Sequence, residues 1–159
     1  MNYSFIMLKP DALNRELAVE VLSYLKKGGI ELELVGYQKA KEDVICKHYA
    51  EVIEKLGDTF RRRAVRYFVD QPVMPIVVKG EGSDLIPRIR SIVGATDPSK
   101  AEKGTIRGDL GIDSLQRSID EDRCCENLIH ASDCEEAFRT ETAIWFGDEI
   151  AQRYFNKAE

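Results

Sequence analysis

The chain has 159 residues, 43% of them hydrophobic and 32% charged, with a formal net charge of −5. That length and balance fit one folded domain over residues 1–159 with a real core, and exclude a disordered or membrane-embedded chain. The acidic sign argues against broad, sequence-independent nucleic-acid binding, though a local cluster of Arg and Lys can still oppose it for a small anion.

Tyr3 to Leu8 is a short apolar run that reads as a buried strand. Pro10 ends it, because proline cannot donate to a sheet ladder. Asp11 then suits the cap of a helix to about Lys27, with Leu13, Leu17, Val21 and Leu25 as its apolar stripe and Gly28-Gly29 as its stop. Ile30 to Ala40 alternates as a half-covered strand does. Helical spacing returns from Asp43 to Leu56, and a second helix is expected over Phe60 to Val69. Val73 to Val78 reads as a central strand and Asp84 to Val93 as an amphipathic helix ending at Gly94. Ala95 to Asn127 is polar and without a strong period. Leu128 to Ala131 is a short last strand, followed by a helix from about Asp133 to Phe146 and a short tail over 147–159. The order predicts a ferredoxin-like βαββαβ arrangement: an antiparallel four-stranded α+β sheet with added helices and a long loop before the last strand.

The last helix carries the first chemical signal. Ser132-x-x-Glu135 has capping-box spacing, so the helix is expected to begin there. Cys134, Ala137, Phe138, Ile144 and Trp145 form an apolar face, and Glu141 falls on it. A carboxylate facing a core needs a partner, and the nearest candidate is His130. A carboxylate on one imidazole nitrogen fixes the tautomer and leaves the other free as a nucleophile or base. The same spacing also fits a core histidine with Glu141 at the edge of the stripe, and the residues alone leave both readings open.

Lys9, Arg90, Thr96 and Arg107 are candidate anion contacts. Arg107 lies between Gly104 and Gly108, where the backbone can approach a ligand and a guanidinium fork suits phosphate oxygens. Each taken singly also reads as a solvated surface charge. Arg61, Arg62, Arg63 and Arg66 read first as an exposed helix face. There is no Gly-x-x-x-x-Gly-Lys-Ser/Thr loop and no Gly-x-Gly-x-x-Gly fingerprint, so bound phosphates would rest on side-chain cations. Cys46, Cys124, Cys125 and Cys134 lack zinc or redox-motif spacing and read as reduced thiols of a cytoplasmic protein. Neither His48 nor His130 has the sequence partners of a transition-metal site. The N-terminal apolar run is too short for a signal peptide and has no basic leader, and no stretch approaches the roughly 20 apolar residues of a membrane helix.

Lys9-Pro10-Asp11, Gly94-Ala95-Thr96-Asp97-Pro98, Gly104-Thr105-Ile106-Arg107-Gly108-Asp109, Asn127-Leu128-Ile129-His130-Ala131-Ser132-Asp133 and Glu141-Thr142-Ala143-Ile144-Trp145-Phe146 occur in this order. Together they resemble the nucleoside diphosphate kinase family, from about Tyr3 to Phe146. The resemblance implies a ferredoxin-like fold and a ping-pong transfer of the γ-phosphoryl of a donor such as ATP to a nucleoside diphosphate. It makes His130 the nucleophile, with Glu141 and Ser132 supporting it and Tyr49 nearby. It assigns Lys9, Arg90, Thr96 and Arg107 to the phosphates, Phe60 to the base and Asn127 to the sugar and phosphate region. It also implies magnesium carried by the nucleotide rather than held in a protein cage, and a homo-oligomer, tetrameric or hexameric, built from dimers.

Three single positions depart from the family pattern. Ala12 and Ala131 stand where glycine is usual, and Arg61 where a second aromatic often follows Phe60. The 109–127 stretch is roughly ten residues longer than the resemblance implies, beyond the usual length of an irregular loop, and reads as a solvated acidic loop. An alternative to an active transferase is a nucleotide-binding regulatory or scaffold module of the same fold, without turnover.

Overall fold

The computed structural model describes residues 2–155. Its strands are β1 (Asn2–Leu8), β2 (Glu31–Val35), β3 (Gln38–Lys39), β4 (Pro72–Gly80) and β5 (Ile129–Ala131). Its helices are α1 (Pro10–Asn14), α2 (Ala18–Lys27), α3 (Glu42–His48), α4 (Ala50–Leu56), α5 (Asp58–Phe68), α6 (Leu85–Val93), α7 (Ile106–Leu110), α8 (Leu115–Asp120), α9 (Glu135–Phe146) and α10 (Asp148–Phe155). The sheet order is β2-β4-β1-β5, all antiparallel, with β3 alongside the start of β4. This is the ferredoxin-like α+β order the sequence predicts.

The two central strands are apolar on both faces because both are covered. Side chains alternate across a strand. Ile6 and Leu8 therefore join Val21, Leu25, Ile76, Val78 and Ile89 under α2 and α6. Phe5 and Met7 join Ile45, Phe68, Val77, Phe138 and Trp145 under α3, α5 and α9. His130 pairs with Met7 across the β1–β5 ladder. Directly opposed residues of an antiparallel pair share a face, so its imidazole enters the layer that α9 covers.

The junction around Lys9 and Leu128 sets that register. Leu128 has φ +70, a left-handed conformation that costs a non-glycine residue about 1–3 kcal/mol. Three contacts hold it. Its carbonyl accepts from the Lys9 N–H at 2.9 Å, its own N–H donates to Asp11 Oδ2 at 3.0 Å, and Tyr67 donates to Asp11 Oδ1 at 2.5 Å. Asp11 is therefore not a helix cap as expected. It is buried in the first turn and reaches across to the last strand.

Other elements differ from expectation for local reasons. The expected helix from Asp11 to Lys27 breaks into α1 and α2, with Glu16 at φ +57 between them. The expected strand from Ile30 to Ala40 divides into β2 and β3, and β2 slips register between Leu32 and Leu34. Gly36 lies between them, where a Cβ would stand 3.0 Å from Pro75 and 3.1 Å from Phe146. The helix over 43–56 is two helices joined at Tyr49. Ser132 does not cap the last helix. Cys134 does, its Sγ accepting from the Ala137 N–H at 3.4 Å, because the Ser132 hydroxyl is used elsewhere. The expected tail is helix α10 over 148–155, packed on α9, and residues 156–159 lie outside the described residues.

The stretch read as a polar loop holds a 3₁₀ turn at Pro98–Lys100 and helices α7 and α8. Thr105 and Ser114 cap those two helices by accepting from the Gly108 and Arg117 N–H groups. Within the long insert, the Arg123 guanidinium clasps Asp113 at 2.6 and 2.8 Å, and Asp113 also accepts from the Glu126 N–H at 2.8 Å. Neither the arginine cluster nor the acidic insert is simply solvated. Arg62 and Arg63 hold the Asp122 carboxylate at 2.8–3.0 Å, Arg66 donates to its carbonyl, and Arg61 pairs with Glu42 at 2.6 Å.

Replacing Asp11 by Ala leaves the Leu128 N–H and the Tyr67 hydroxyl unpaired in a buried site. The expected loss is about 1–3 kcal/mol of stability in a urea titration, and an unchanged midpoint contradicts this role for Asp11.

Candidate active site

A cavity of about 840 Å³ opens between α3–α5, the insert and the end of β5. His130 is at its floor, with its side chain 22% exposed. Its Nε2 lies 2.7 Å from Glu141 Oε1, and Ser132 Oγ donates to Glu141 Oε2 at 2.5 Å. Glu141 sits among the buried positions Phe138, Thr142 and Trp145, so the helical repeat that builds the core also aims the acid at the ring. With the Nε2 proton directed to the carboxylate, the Nδ1 lone pair is the ring's free nucleophilic site.

Burial and then the charges of Lys9, Arg107 and Arg90 push the His130 pKa down to about 3. Burial also raises the Glu141 carboxyl above its ordinary value. The imidazole is therefore neutral at physiological pH, the form with a lone pair to give.

The cations come from three separate elements. Lys9 follows β1 and donates to Asn127 Oδ1 at 2.7 Å, while the Asn127 amide donates to the Thr96 carbonyl at 2.9 Å. Arg90 on α6 donates to the Ala131 carbonyl at 3.3 Å. Arg107 is more buried than a simple phosphate fork would be. Its Nε, Nη1 and Nη2 donate to the carbonyls of Asn127, Gly94 and Ile129 at 3.0, 3.2 and 2.5 Å. A guanidinium has five N–H donors, so two remain. Arg107 thus ties α7 to the β5 segment and also charges the cavity. Burial, then Arg107, brings the Lys9 pKa down to about 8, and burial, then Arg90, brings Arg107 down to about 10.

Tyr49 and Phe60 line the cavity with ring centres 5.7 Å apart, and Tyr49 lies 6.4 Å from the His130 ring. The Tyr49 hydroxyl is buried without a partner among the described residues, and burial raises its pKa, so it stays protonated. The residues that the family resemblance assigns to a site therefore fall in one place. His130, Glu141, Lys9, Tyr49, Phe60, Arg90, Thr96, Arg107 and Asn127 line the cavity, and Ser132 stands behind Glu141.

Sequence reasoning passed over two contributors. His48 packs edge-on against His130 with centres 4.5 Å apart and accepts from Trp145 Nε1–H at 3.2 Å. Its adjacency to Tyr49 was the available signal. The other is the insert, which places Leu115, Ile119, Cys124 and Cys125 on the cavity wall. His48, His130 and Glu141 offer ligand atoms within 4.8 Å of one another. His48 Nδ1, His130 Nε2 and both Glu141 oxygens are hydrogen-bonded within the protein, while His48 Nε2 has no partner among the described residues. Burial first, then His130, lowers the His48 pKa to about 3, so its ring is neutral. The Trp145 donor then leaves the ring proton on Nε2, and Glu141 serves His130 and Ser132. A metal there would have to break that network.

A neutral imidazole with its outer nitrogen free, an acid behind it and three cations at hand is a site suited to a phosphate-bearing ligand. The comparisons with known proteins agree. The family model described as nucleoside diphosphate kinase matches residues 2–150. The chain is 36% identical to the nucleoside diphosphate kinase of Methanothermobacter thermautotrophicus over 148 residues, 93% of this chain and 89% of that protein. It is 35% identical to human nucleoside diphosphate kinase 3 over 92% of this chain and 79% of that one. Among solved structures it resembles a Borrelia burgdorferi nucleoside diphosphate kinase with bound vanadate and ADP. The TM-score is 0.85 at 29% identity, covering 93% of this chain and 88% of that one. The Halobacterium salinarum enzyme in complex with CDP gives 0.75 at 32% identity, covering 93% of this chain and 89% of that one. The chain belongs to the nucleoside diphosphate kinase family, and its activity is phosphoryl transfer between nucleotides.

The Lys9 value has a kinetic consequence. Lys9 carries its charge below about pH 8 and sheds it above, so kcat/KM for a nucleoside triphosphate should fall as pH rises through that value. Lys9→Met should be low throughout and lack that limb. Persistence of the limb in the variant would assign it to another group.

The two histidines set an acid limit on stability. Each is near pKa 3 folded and 6.5 unfolded, so the unfolded chain binds more protons between those values. Their contribution is complete above pH 6.5 and is lost as pH falls toward 3, which denaturant titrations across that range will show as a falling midpoint.

Proposed function

We propose that the chain transfers the γ-phosphoryl group of a nucleoside triphosphate, typically ATP, to a nucleoside diphosphate in two half-reactions through His130. The observation that carries this reading is the Glu141–His130 contact, which occupies Nε2 and frees Nδ1. Nδ1 attacks the γ-phosphorus, the bond to the β–γ bridging oxygen breaks, and the diphosphate leaves with that electron pair. The phosphorylated ring gains positive charge, and Glu141, held by Ser132, stabilises it through the retained Nε2–H. An acceptor diphosphate reverses the step. Lys9, Arg90 and Arg107 balance the phosphate charge, with Asn127 fixing Lys9 and Thr96. Phosphoryl transfer needs in-line placement and charge stabilisation more than covalent elaboration.

Phe60 offers the base a face rather than an edge, which suits many nucleosides. The Borrelia and Halobacterium relatives hold ADP and CDP, which fits a site tolerant of purine and pyrimidine. Magnesium belongs to the nucleotide in this reading. Among the described cavity residues, Glu141 is committed to His130 and Ser132, and the surrounding charges favour phosphate over a bare divalent ion. A bound magnesium would neutralise phosphate charge and leave the protein to orient the chain.

One domain is enough for this chemistry, and the cytoplasm suits it. The four cysteines are free, and no helix among the described residues is long and apolar enough to cross a membrane. A homo-oligomer is supported by β2, which ends the sheet with Leu32 and Val35 exposed beside Tyr37. Sedimentation should give a tetramer or hexamer, and a monomer would contradict it. Nucleic-acid binding is disfavoured because the Arg61–Arg66 cluster spends its charge on Asp122 and Glu42.

Incubation with γ-labelled ATP should give a base-stable, acid-labile phosphoenzyme that is absent from His130→Ala. Glu141→Gln should slow its formation roughly 10- to 100-fold, the rate equivalent of a charge-assisted hydrogen bond. Label that survives in His130→Ala would overturn the reading, and nucleotide binding with no label at all would favour a regulatory module.

A further inference from the structure

Phosphoryl transfer through His130 uses nitrogen and fixed cations, and gives no part to two sulfurs on the cavity wall. Cys124 and Cys125 are adjacent in the chain, free and half-buried, and both line the cavity. In an extended strand, neighbouring side chains point to opposite sides. Residues 124–127 belong to no strand or helix, and here both thiols reach one space. The pair is held at both ends by one carboxylate. Asp113 accepts from the Arg123 guanidinium at 2.6 and 2.8 Å and from the Glu126 N–H at 2.8 Å. Arg123 also donates to the Cys124 carbonyl at 3.0 Å. One residue further on, Asn127 is tied to Lys9 and Thr96.

What such a pair can take follows from its protonation state. Burial raises the Cys124 thiol, and burial, then the Asp113 charge, pushes Cys125 up to about 12. Both are therefore neutral S–H groups at physiological pH, and poor nucleophiles toward a disulfide or an alkylating carbon. A soft trivalent centre is different, because it condenses with neutral thiols and their hydrogens leave on oxygen. Two adjacent thiols held in place bind such a centre as a chelate, the second sulfur closing at a high effective concentration. Lys9 is near enough for its charge to respond to both thiols, and Arg107 responds to Cys125. A group that bridges the two sulfurs therefore stands beside the phosphate cations. The other cysteines do not share this setting. Cys46 does not line the cavity, and the Cys134 Sγ accepts from the Ala137 N–H on α9.

We propose that Cys124 and Cys125 form a dithiol site for a trivalent arsenical carrying one organic group, and that its occupant excludes nucleotide phosphates from Lys9. The exclusion rests on the nucleotide-transfer reading, and the dithiol site does not. With an arsonous acid, two S–H bonds and two As–OH bonds break, two As–S bonds form, and two waters leave. Arsenic stays trivalent, so no oxidant or reductant enters the step.

The probe is phenylarsonous acid, added to the full chain and followed by intact mass. One adduct per chain should form, withstand excess monothiol and be stripped by a small dithiol. Cys124→Ser and Cys125→Ser should each weaken it about 100-fold or more, because a single sulfur cannot chelate. Cys46→Ser and Cys134→Ser should hold it as the unaltered chain does. Cleavage after glutamate parts Cys125 from Cys134 at Glu126, and should leave the arsenic on the Cys124–Cys125 peptide. That mapping uses the unaltered chain, so it decides the matter if a serine variant does not fold. Absence of an adduct, its removal by the monothiol, full retention in either the Cys124 or the Cys125 variant, or recovery of arsenic with Cys46 or Cys134 would overturn the site. Calorimetry should show Mg-ADP binding the adduct about 10-fold or more weakly than the untreated chain, the worth of one charge-assisted contact. Unchanged ADP affinity would overturn the exclusion. The phosphoenzyme assay on untreated chain reads the transfer chemistry separately. A chain that takes the arsenical yet neither binds ADP nor forms phosphohistidine would sink that reading, and the exclusion with it, and leave the dithiol site standing.

Discussion

Everything in the site hangs on a three-residue ladder. Ile6, Met7 and Leu8 pair with Ala131, His130 and Ile129, and this pairing alone puts the imidazole opposite Met7. A strand that short has little hydrogen bonding of its own to fix its register, and a slip of one residue would turn the ring to the other face. The register is pinned from the outside. Lys9 and Asp11 grip the two backbone groups of Leu128, and Arg107 takes the carbonyls of Asn127 and Ile129 on either side. Lys9 and Arg107, which look chemical in the sequence, and Asp11, which looks like a helix cap, are in the first instance the clamps of the strand that carries His130.

The charge arrangement follows from that geometry. A chain of net charge −5 gathers Lys9, Arg90 and Arg107 beside one ring. Burial first, and then their mutual repulsion, lowers the pKa values of Lys9 and Arg107, and burial together with the same field keeps His130 unprotonated. An anion entering the cavity would relieve that repulsion, so the site is strained toward binding phosphate before any ligand arrives. Glu141 is the counterweight. It is buried at a core position of α9, where it needs the Ser132 hydroxyl and the His130 ring as partners.

Much of this was legible in the residues. The strands β1, β4 and β5 showed as apolar runs, and α6 and α9 as periodic helices, because burial repeats along them. Glu141 on an apolar helix face pointed to a buried partner, and His130 was the correct one. Secondary structure failed where the determining contact was remote. Asp11 looked like a cap because it follows Lys9-Pro10, yet its partners are Leu128 and Tyr67, far away in the chain. Ser132 had capping-box spacing, but a buried carboxylate outbid the helix N-terminus for its hydroxyl. Helix α8 was missed because six residues give too little periodicity, and its apolar side faces a cleft instead of a core.

The chain's own residues determined the family, the sheet order and the set of groups that meet in one cavity, since those depend on local pattern and on motifs whose order survives in one dimension. Tertiary structure alone decided three things: which imidazole nitrogen is free, how far Arg107 is committed to the backbone, and that the arginine cluster and the acidic insert are each other's partners. Charge complementarity has no period. Arg62, Arg63 and Asp122 become an ion cluster only when α5 and the insert are brought together by the fold between them, and nothing in the spacing of like charges along a chain records where the opposite sign will come to rest.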